Sequence, residues 1–283
     1  MIKKQSVKRS LSAKLRRLQK ILREMKSVLV AFSGGVDSTL LLKAAADVLG
    51  KNVLAVIARS EMYPEKEIRE ATDIARTLKV RHKVIETQEI ENPDFLKNPP
   101  FRCYHCKREL FSKLKEIGEK EGLVHVLDGQ NVDDKGDFRP GEWAGRELGI
   151  RSPLREAGLT KSDIRALSRA FHLPTWNKPS LACLASRFPY GTAIDRKSLK
   201  RVGAAEEYLR DMGFGQLRVR HHGETARIEI LPEEFRKIMN PKSRRKIVAR
   251  LKKLGYLYVA LDLAGYRTGS LNEGLRLGKS LPR

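Results

Sequence analysis

Cysteine is scarce in this chain. Three thiols, Cys103, Cys106 and Cys183, stand among 283 residues, and an odd count argues against a disulfide framework. Long apolar runs are missing as well. Val53 to Ala58 is a representative run, far short of the roughly 20 residues a membrane-spanning helix needs. The basic N-terminal stretch has no continuous apolar core, so it does not read as a secretory signal. A cytoplasmic protein without membrane association is expected. Acidic residues are rare at both ends. Residues 1–26 carry ten Lys/Arg against Glu24, and residues 240–283 carry eleven against Asp262 and Glu273, while the middle is nearly balanced. The net charge of +23 therefore lies mainly at the ends. It suits anionic partners such as nucleotides, phosphorylated substrates or RNA, or simply a solvated cationic surface.

What is present begins with an amphipathic pattern. Leu11, Leu15, Leu18, Ile21, Leu22 and Met25 recur at helical spacing between Lys and Arg, which predicts a basic helix over residues 1–26. Strands and helices then alternate. Strands are expected at 28–32, 53–58, 82–86, 124–128 and 150–154, and helices at 37–49, 65–78, 106–120 and 160–171, the last with Thr160 and Asp163 as a capping box. This order specifies an α/β protein with a parallel sheet covered on both faces and ligands at the carboxyl ends of its strands. Beyond Phe188 the pattern changes. A helix at 196–212, strands at 215–221 and 226–231, one long helix at 232–254 and a strand at 256–261 fit a small antiparallel sheet with helices on one side. The chain is longer than one compact core usually holds. The expected domains are 27–187 and 188–264, with a loose basic tail over 265–283.

The most informative segment is Ser33-Gly34-Gly35-Val36-Asp37-Ser38, set between an apolar strand and a helix. Two glycines let backbone approach an anion, Asp37 or Ser38 is expected to cap the helix, and the helix N-terminus faces the same turn. That geometry binds phosphate. The turn lacks the Gly-Lys-Ser/Thr ending of an ATPase P-loop, so no lysine of that kind reaches a γ-phosphate.

The cysteines carry a second signal. Cys103-Tyr-His-Cys106 opens a predicted helix, where the dipole favours thiolate. Together with Cys183, the pair can hold a 4Fe–4S cluster with one iron left open to an extra sulfide. Zinc with His105 as a fourth ligand is the competing metal, and three unrelated thiols the plainest alternative. Trp143 and Trp176 read as packing residues.

The glycine turn resembles the pyrophosphate loop of the ATP pyrophosphatase superfamily. More of the chain, from Asp128-Gly-Gln-Asn-Val-Asp-Asp134 through Asp137-Phe-Arg139-Pro-Gly141 and Arg151-Ser-Pro-Leu154 to the stretch Lys178 to Gly191 around Ala-Cys183-Leu-Ala-Ser-Arg187, resembles the LarE family of ATP-dependent sulfur transferases. The resemblance implies an adenine nucleotide alpha-hydrolase-like (HUP) sheet plus a small C-terminal α+β domain. It also implies adenylation of a carboxylate on a pyridinium mononucleotide, then replacement of AMP by sulfur, in nickel-pincer cofactor biosynthesis. By position it assigns ATP and Mg²⁺ to Ala31, Ser33, Gly34, Gly35, Asp37, Ser38, Ser60, Gly129 and Asp134, with Asp134 near the Mg²⁺. It assigns the substrate to Ser186, Arg187, Glu206, Arg218 and Arg220. Sulfur comes from a cluster on Cys103, Cys106 and Cys183 fed by inorganic sulfide or a sulfur carrier, or else from Cys183 itself, sacrificed to dehydroalanine. The resemblance also implies a homo-oligomer, a trimer or hexamer. A tRNA thiolase of the same superfamily is the strongest rival, although no extra zinc ribbons are present. An amidating ligase and a non-enzymatic nucleotide-binding module are weaker ones.

Overall fold

The computed structural model describes residues 2–134, 140–179 and 182–273, with residues 2–9 given as backbone alone. Asp137, Arg139 and the tail beyond Glu273 lie outside the described residues. The chain divides into two compact units. The first comprises Met1–Glu89 and Cys103–Leu181, and the second Ile90–Arg102 and Ala182–Arg283.

The first unit opens with α1 (Ile2–Met25) and continues through β1 (Val28–Ala31), α2 (Val36–Leu49), β2 (Val53–Arg59), α3 (Glu65–Thr77) and β3 (Arg81–Glu86). The chain then visits the second unit with α4 (Pro93–Leu96). It returns along α5 (Arg102–Lys120), β4 (His125–Leu127), α6 (Gly141–Glu147), α7 (Pro153–Glu156) and α8 (Lys161–Ala170). The four strands are all parallel, in the order β3-β2-β1-β4. Val28, Leu29 and Val30 of β1 are fully buried, as expected for a central parallel strand covered on both faces. Alternation sends them opposite ways. Val28, Val30, Val53, Ala55 and Ile57 meet Leu18 and Leu22 of α1 and Leu40 to Leu42 of α2. Leu29, Leu54 and Val56 meet Phe111 and Leu114 of α5. Truncating such a residue, Leu29→Ala for instance, costs about 2–5 kcal/mol. The edge strand β3 instead exposes Arg81 and Lys83, charges that discourage strand addition.

The strand order positions the site. From β1 the chain moves outward to β2 and β3, then returns to lay β4 on the other side of β1. The loops after β1 and β4 therefore flank the point where the winding reverses, the usual ligand crevice of such sheets.

The second unit carries α9 (Arg196–Asp211), β5 (Leu217–His222), β6 (Thr225–Ile230), α10 (Phe235–Met239), α11 (Pro241–Lys253) and β7 (Tyr258–Leu261). Its core joins Leu209, Phe214, Val219, Ile228, Ile230, Ile247 and Leu251.

Four sequence expectations need correction here. The strand predicted over 150–154 is a single bridge, Leu127 with Arg151, because Pro153 lacks an N–H and starts α7. The long helix over 232–254 breaks at Asn240, whose side chain accepts from the backbone N–H groups of Lys242 and Ser243 while Pro241 occupies the first helical position. The small sheet is mixed: β5 and β6 form an antiparallel hairpin, but β7 pairs parallel to β6 because a helical crossover separates them. Trp143 and Trp176 are not packed inside. They are 47% and 38% exposed, and the Arg169 guanidinium lies 5.1 Å from the Trp176 ring centroid.

Candidate active site

The turn after β1 is shaped by its glycines. Gly34 sits at φ +67°, and a Cβ there would lie 2.9 Å from Cβ of Ala71 on α3. Gly35, not Asp37 or Ser38, is the N-cap of α2, and it has no side chain with which to satisfy the first N–H groups of the helix. Those donors are left to an anion. The hydroxyls of Ser33 and Ser38 stand 3.1 Å apart beside them, and Ser38 donates to the carbonyl of Gly35 at 3.3 Å. Ala31 ends β1, and Ser60 follows β2, its Oγ accepting from Met62 N–H at 3.2 Å.

The loop after β4 closes against this turn. A Cβ on Gly129 would come within 3.1 Å of the Ser38 backbone nitrogen, so glycine is what allows the close approach. Asn131, 3% exposed, donates from Nδ2 to Oδ1 of Asp37 at 3.2 Å, and its backbone N–H donates to Asp134 at 2.8 Å. Lys161, first residue of α8, pairs through Nζ with the other Asp37 oxygen, and its N–H donates to Asp133 at 2.8 Å. Three carboxylates, one lysine and a row of N–H groups thus surround the turn. Such a set can hold a polyphosphate with a hard cation such as Mg²⁺. Asn131 and Lys161 carried no role in the sequence reading. The position of Lys161 directly after the N-cap Thr160, inside the capping box, was the available signal.

None of the three cysteines is in a disulfide, and all three are partly exposed. Cys103 and Cys106 lie three apart at the start of α5, and the Cys106 thiol donates to Oε1 of buried Glu89 at 3.6 Å. As soft sulfur donors they suit an iron–sulfur cluster or zinc. Among the described residues no group of three or more His, Cys, Asp and Glu is assembled as a metal site. Cys183 begins a 3₁₀ turn, Leu184–Arg187, in the second unit.

That unit also gathers the predicted arginines. Arg187 and Glu206 pair bidentately at 2.7 and 2.8 Å, and Arg210 adds a contact to Glu206 at 2.7 Å. Arg220 pairs in the same way with Glu229, at 2.9 Å on both oxygens, and donates to the Ser186 carbonyl at 2.6 Å. Burial pushes the Glu206 carboxyl up, but Arg187, Arg210 and Arg218 outweigh it and hold it below the usual range. Burial and the neighbouring Arg187 push Arg218 down to about 10, and its guanidinium lies 5.2 Å from the Tyr266 ring centroid. Buried guanidiniums outnumber the two buried carboxylates, which favours an incoming anion.

A family model for NAD synthase matches residues 9–96, the stretch that includes the glycine turn. With the parallel sheet and its reversal point, this defines an ATP pyrophosphatase-type enzyme. The chain is 43% identical over 265 residues to an uncharacterized protein of Synechocystis sp., covering 94% of this chain and 99% of that one. It is 41% identical over 271 residues to the pyridinium-3,5-bisthiocarboxylic acid mononucleotide synthase of Lactiplantibacillus plantarum, covering 94% and 96%. An uncharacterized protein of Methanocaldococcus jannaschii is 32% identical over 243 residues, covering 86% and 92%. The chain belongs to the family of that synthase, the LarE family, and is an ATP-dependent sulfur-transferring enzyme.

Proposed function

We propose that this enzyme acts on pyridinium-3,5-biscarboxylic acid mononucleotide and replaces carboxylate oxygen by sulfur, for nickel-pincer cofactor biosynthesis. The observation that carries the proposal is the 41% identity to the Lactiplantibacillus plantarum synthase along nearly the whole of both chains. A carboxylate is a poor electrophile because it is already anionic. Its oxygen attacks the α-phosphorus of ATP, the bond to pyrophosphate breaks, and an acyl adenylate forms. Ser33, Ser38 and the N–H groups at the start of α2 take up the departing negative charge, with Asp37 and Asp134 holding Mg²⁺ beside it and Gly34, Gly35 and Gly129 giving the backbone room. Ala31 and Ser60 flank the adenosine. Sulfur then attacks the carbonyl carbon, and AMP leaves with the original oxygen. Two rounds yield the bisthiocarboxylate.

The sulfur donor stands at Cys183. Cys103 and Cys106 would join it as ligands of a 4Fe–4S cluster, whose chemistry when bound would be to carry sulfide as the donor. Sacrifice of the Cys183 sulfur is the alternative. The substrate phosphate goes to the cluster of Ser186, Arg187, Glu206, Arg218 and Arg220, where cations are in excess and the buried Arg187–Glu206 pair is the frame of the pocket rather than a ligand. We further propose a homo-oligomer. Its support is the edge strand β7, flanked by exposed Leu257 and Leu263 and bearing exposed Tyr258.

One observation favours the rival tRNA thiolase reading: α11 carries seven Lys/Arg and no acidic residue. Salt-sensitive tRNA binding would support it. The deciding experiment is anaerobic incubation with ATP, Mg²⁺, sulfide and the biscarboxylate mononucleotide, followed by mass analysis. Oxygen-to-sulfur exchange with release of AMP and pyrophosphate is expected. Pyrophosphate release without exchange refutes the proposal.

A further inference from the structure

Among the described residues Arg187 is the largest side chain buried completely, and its contacts lead back to a cysteine. Its Nε and Nη2 bond the two oxygens of Glu206. Its Nη1 donates to the carbonyl of Ala182 at 2.8 Å, to the carbonyl of Cys183 at 3.1 Å and to Oγ of Ser186 at 2.7 Å. The Cys183 carbonyl accepts a second hydrogen bond, from Ser186 N–H at 3.0 Å. The opposite end of the turn is held by Arg220 on the Ser186 carbonyl. Glu206 is itself fixed, by Arg210 and by the Val219 backbone N–H at 3.0 Å. The turn is thus clamped at both ends by buried guanidiniums that are anchored in turn on α9, β5 and β6. Its inward residues Leu184, Ala185 and Phe188 are buried, while Cys183 remains partly exposed.

We infer that Arg187 is a positioning residue for Cys183. The Arg187–Glu206 pair fixes the backbone from which the thiol projects and so sets the approach of sulfur to the acyl carbon. This rests on the proposed function, which places the sulfur donor at Cys183. At 1% exposure the guanidinium has no free face for a substrate phosphate, and the hydrogen bonds it makes are spent inside the protein. Lysine cannot replace Arg187. A single ammonium does not grip both Glu206 oxygens while also reaching two carbonyls and a hydroxyl.

The test is Arg187→Lys, assayed anaerobically in the full-length protein for two quantities: pyrophosphate release as a function of mononucleotide concentration, and sulfur incorporated per AMP formed. A misplacement of a reacting group by about 1 Å costs on the order of a hundredfold. Sulfur incorporated per AMP is expected to fall by roughly ten- to a hundredfold, with the KM for the mononucleotide in pyrophosphate release unchanged. The rate of Cys183 alkylation by iodoacetamide should shift in parallel. A raised KM with sulfur per AMP unchanged makes Arg187 a substrate ligand and overturns the inference. If Arg187→Lys does not fold, judged by circular dichroism, the paired replacement Arg187→Met with Glu206→Leu removes the buried charges together, an exchange that folds often tolerate. It is expected to give the same signature, and normal sulfur transfer from it overturns the inference. Cys183→Ser separates the two layers. Continued sulfur transfer by that variant refutes the role of Cys183 and the brace with it. Its loss, alongside a normal Arg187→Lys enzyme, refutes the brace alone.

Discussion

Gly34→Ala isolates the reason for a glycine at the heart of the nucleotide turn. Two penalties add. The backbone at φ +67° lies in the left-handed region, which costs an L-residue about 1–2 kcal/mol. The new methyl would stand 2.9 Å from Cβ and 3.1 Å from Cα of Ala71, and because the second contact is backbone it cannot be relieved by a rotamer change. Overpacking of this kind costs about 1–3 kcal/mol. The expected loss is therefore about 2–5 kcal/mol, measured as a lowered urea midpoint with an unchanged slope. Pyrophosphate release should fall with it, because the turn must shift. Ala71→Gly supplies a cycle. It removes the 2.9 Å contact but not the backbone one, and it costs about 1 kcal/mol in helix propensity on its own. In the double variant a favourable coupling of about 1 kcal/mol or more is expected, above the ~0.5 kcal/mol scatter of independent sites. A Gly34→Ala protein with an unchanged midpoint would show that neither φ nor Ala71 constrains the turn, and strictly additive effects in the double variant would remove Ala71 from the account.

Other predictions follow from the same geometry. Asp37→Ala should abolish pyrophosphate release while retaining any iron–sulfur absorption, and unchanged release removes that residue from the phosphate site. Lys161→Met should alter the KM for ATP because Lys161 holds Asp37, and an unchanged KM makes that pair merely structural. Anaerobically purified protein is expected to be brown, with Cys103→Ala, Cys106→Ala and Cys183→Ala each losing the colour; metal retained by all three refutes the ligand set. Inorganic phosphate should raise the melting temperature by occupying the arginine cluster, worth about 2.7 kcal/mol at a hundred times its Kd. Arg218→Met should suppress that rise. Glu206, held below the usual carboxylate range, contributes stability that is complete above the unfolded value near 4.5 and is lost as pH falls through the lower folded value. Glu206→Gln should flatten the acid limb of the stability profile and lower stability near neutral pH; an unaltered acid limb refutes the coupling.

Much of this was legible in the residue order. The alternation of apolar runs with helical spacing gave the parallel sheet, because period is a local property. The Ser-Gly-Gly-x-Asp-Ser turn announced itself through glycine, whose freedom is equally local. The capping box at Thr160 and Asp163 is present as read. Two of the failures share a cause. Val-rich stretches and helical periodicity do not register where a backbone N–H is lost, so Pro153 and Pro241 ended elements that the pattern continued. The direction of β7 escaped because pairing sense depends on how the crossover returns.

The sequence alone determined the residues on offer: a glycine turn suited to phosphate, three thiols and a surplus of cations are written in residue types and short spacings. Tertiary structure alone decided which of those residues act on one another. Asn131 and Lys161 reach Asp37 from 94 and 124 positions away, and Arg187 turns inward to Glu206 and the carbonyl of Cys183. Burial is the physical reason. A guanidinium or carboxylate withdrawn from water must find its partners wherever the fold brings them, and no pattern along the chain records that choice.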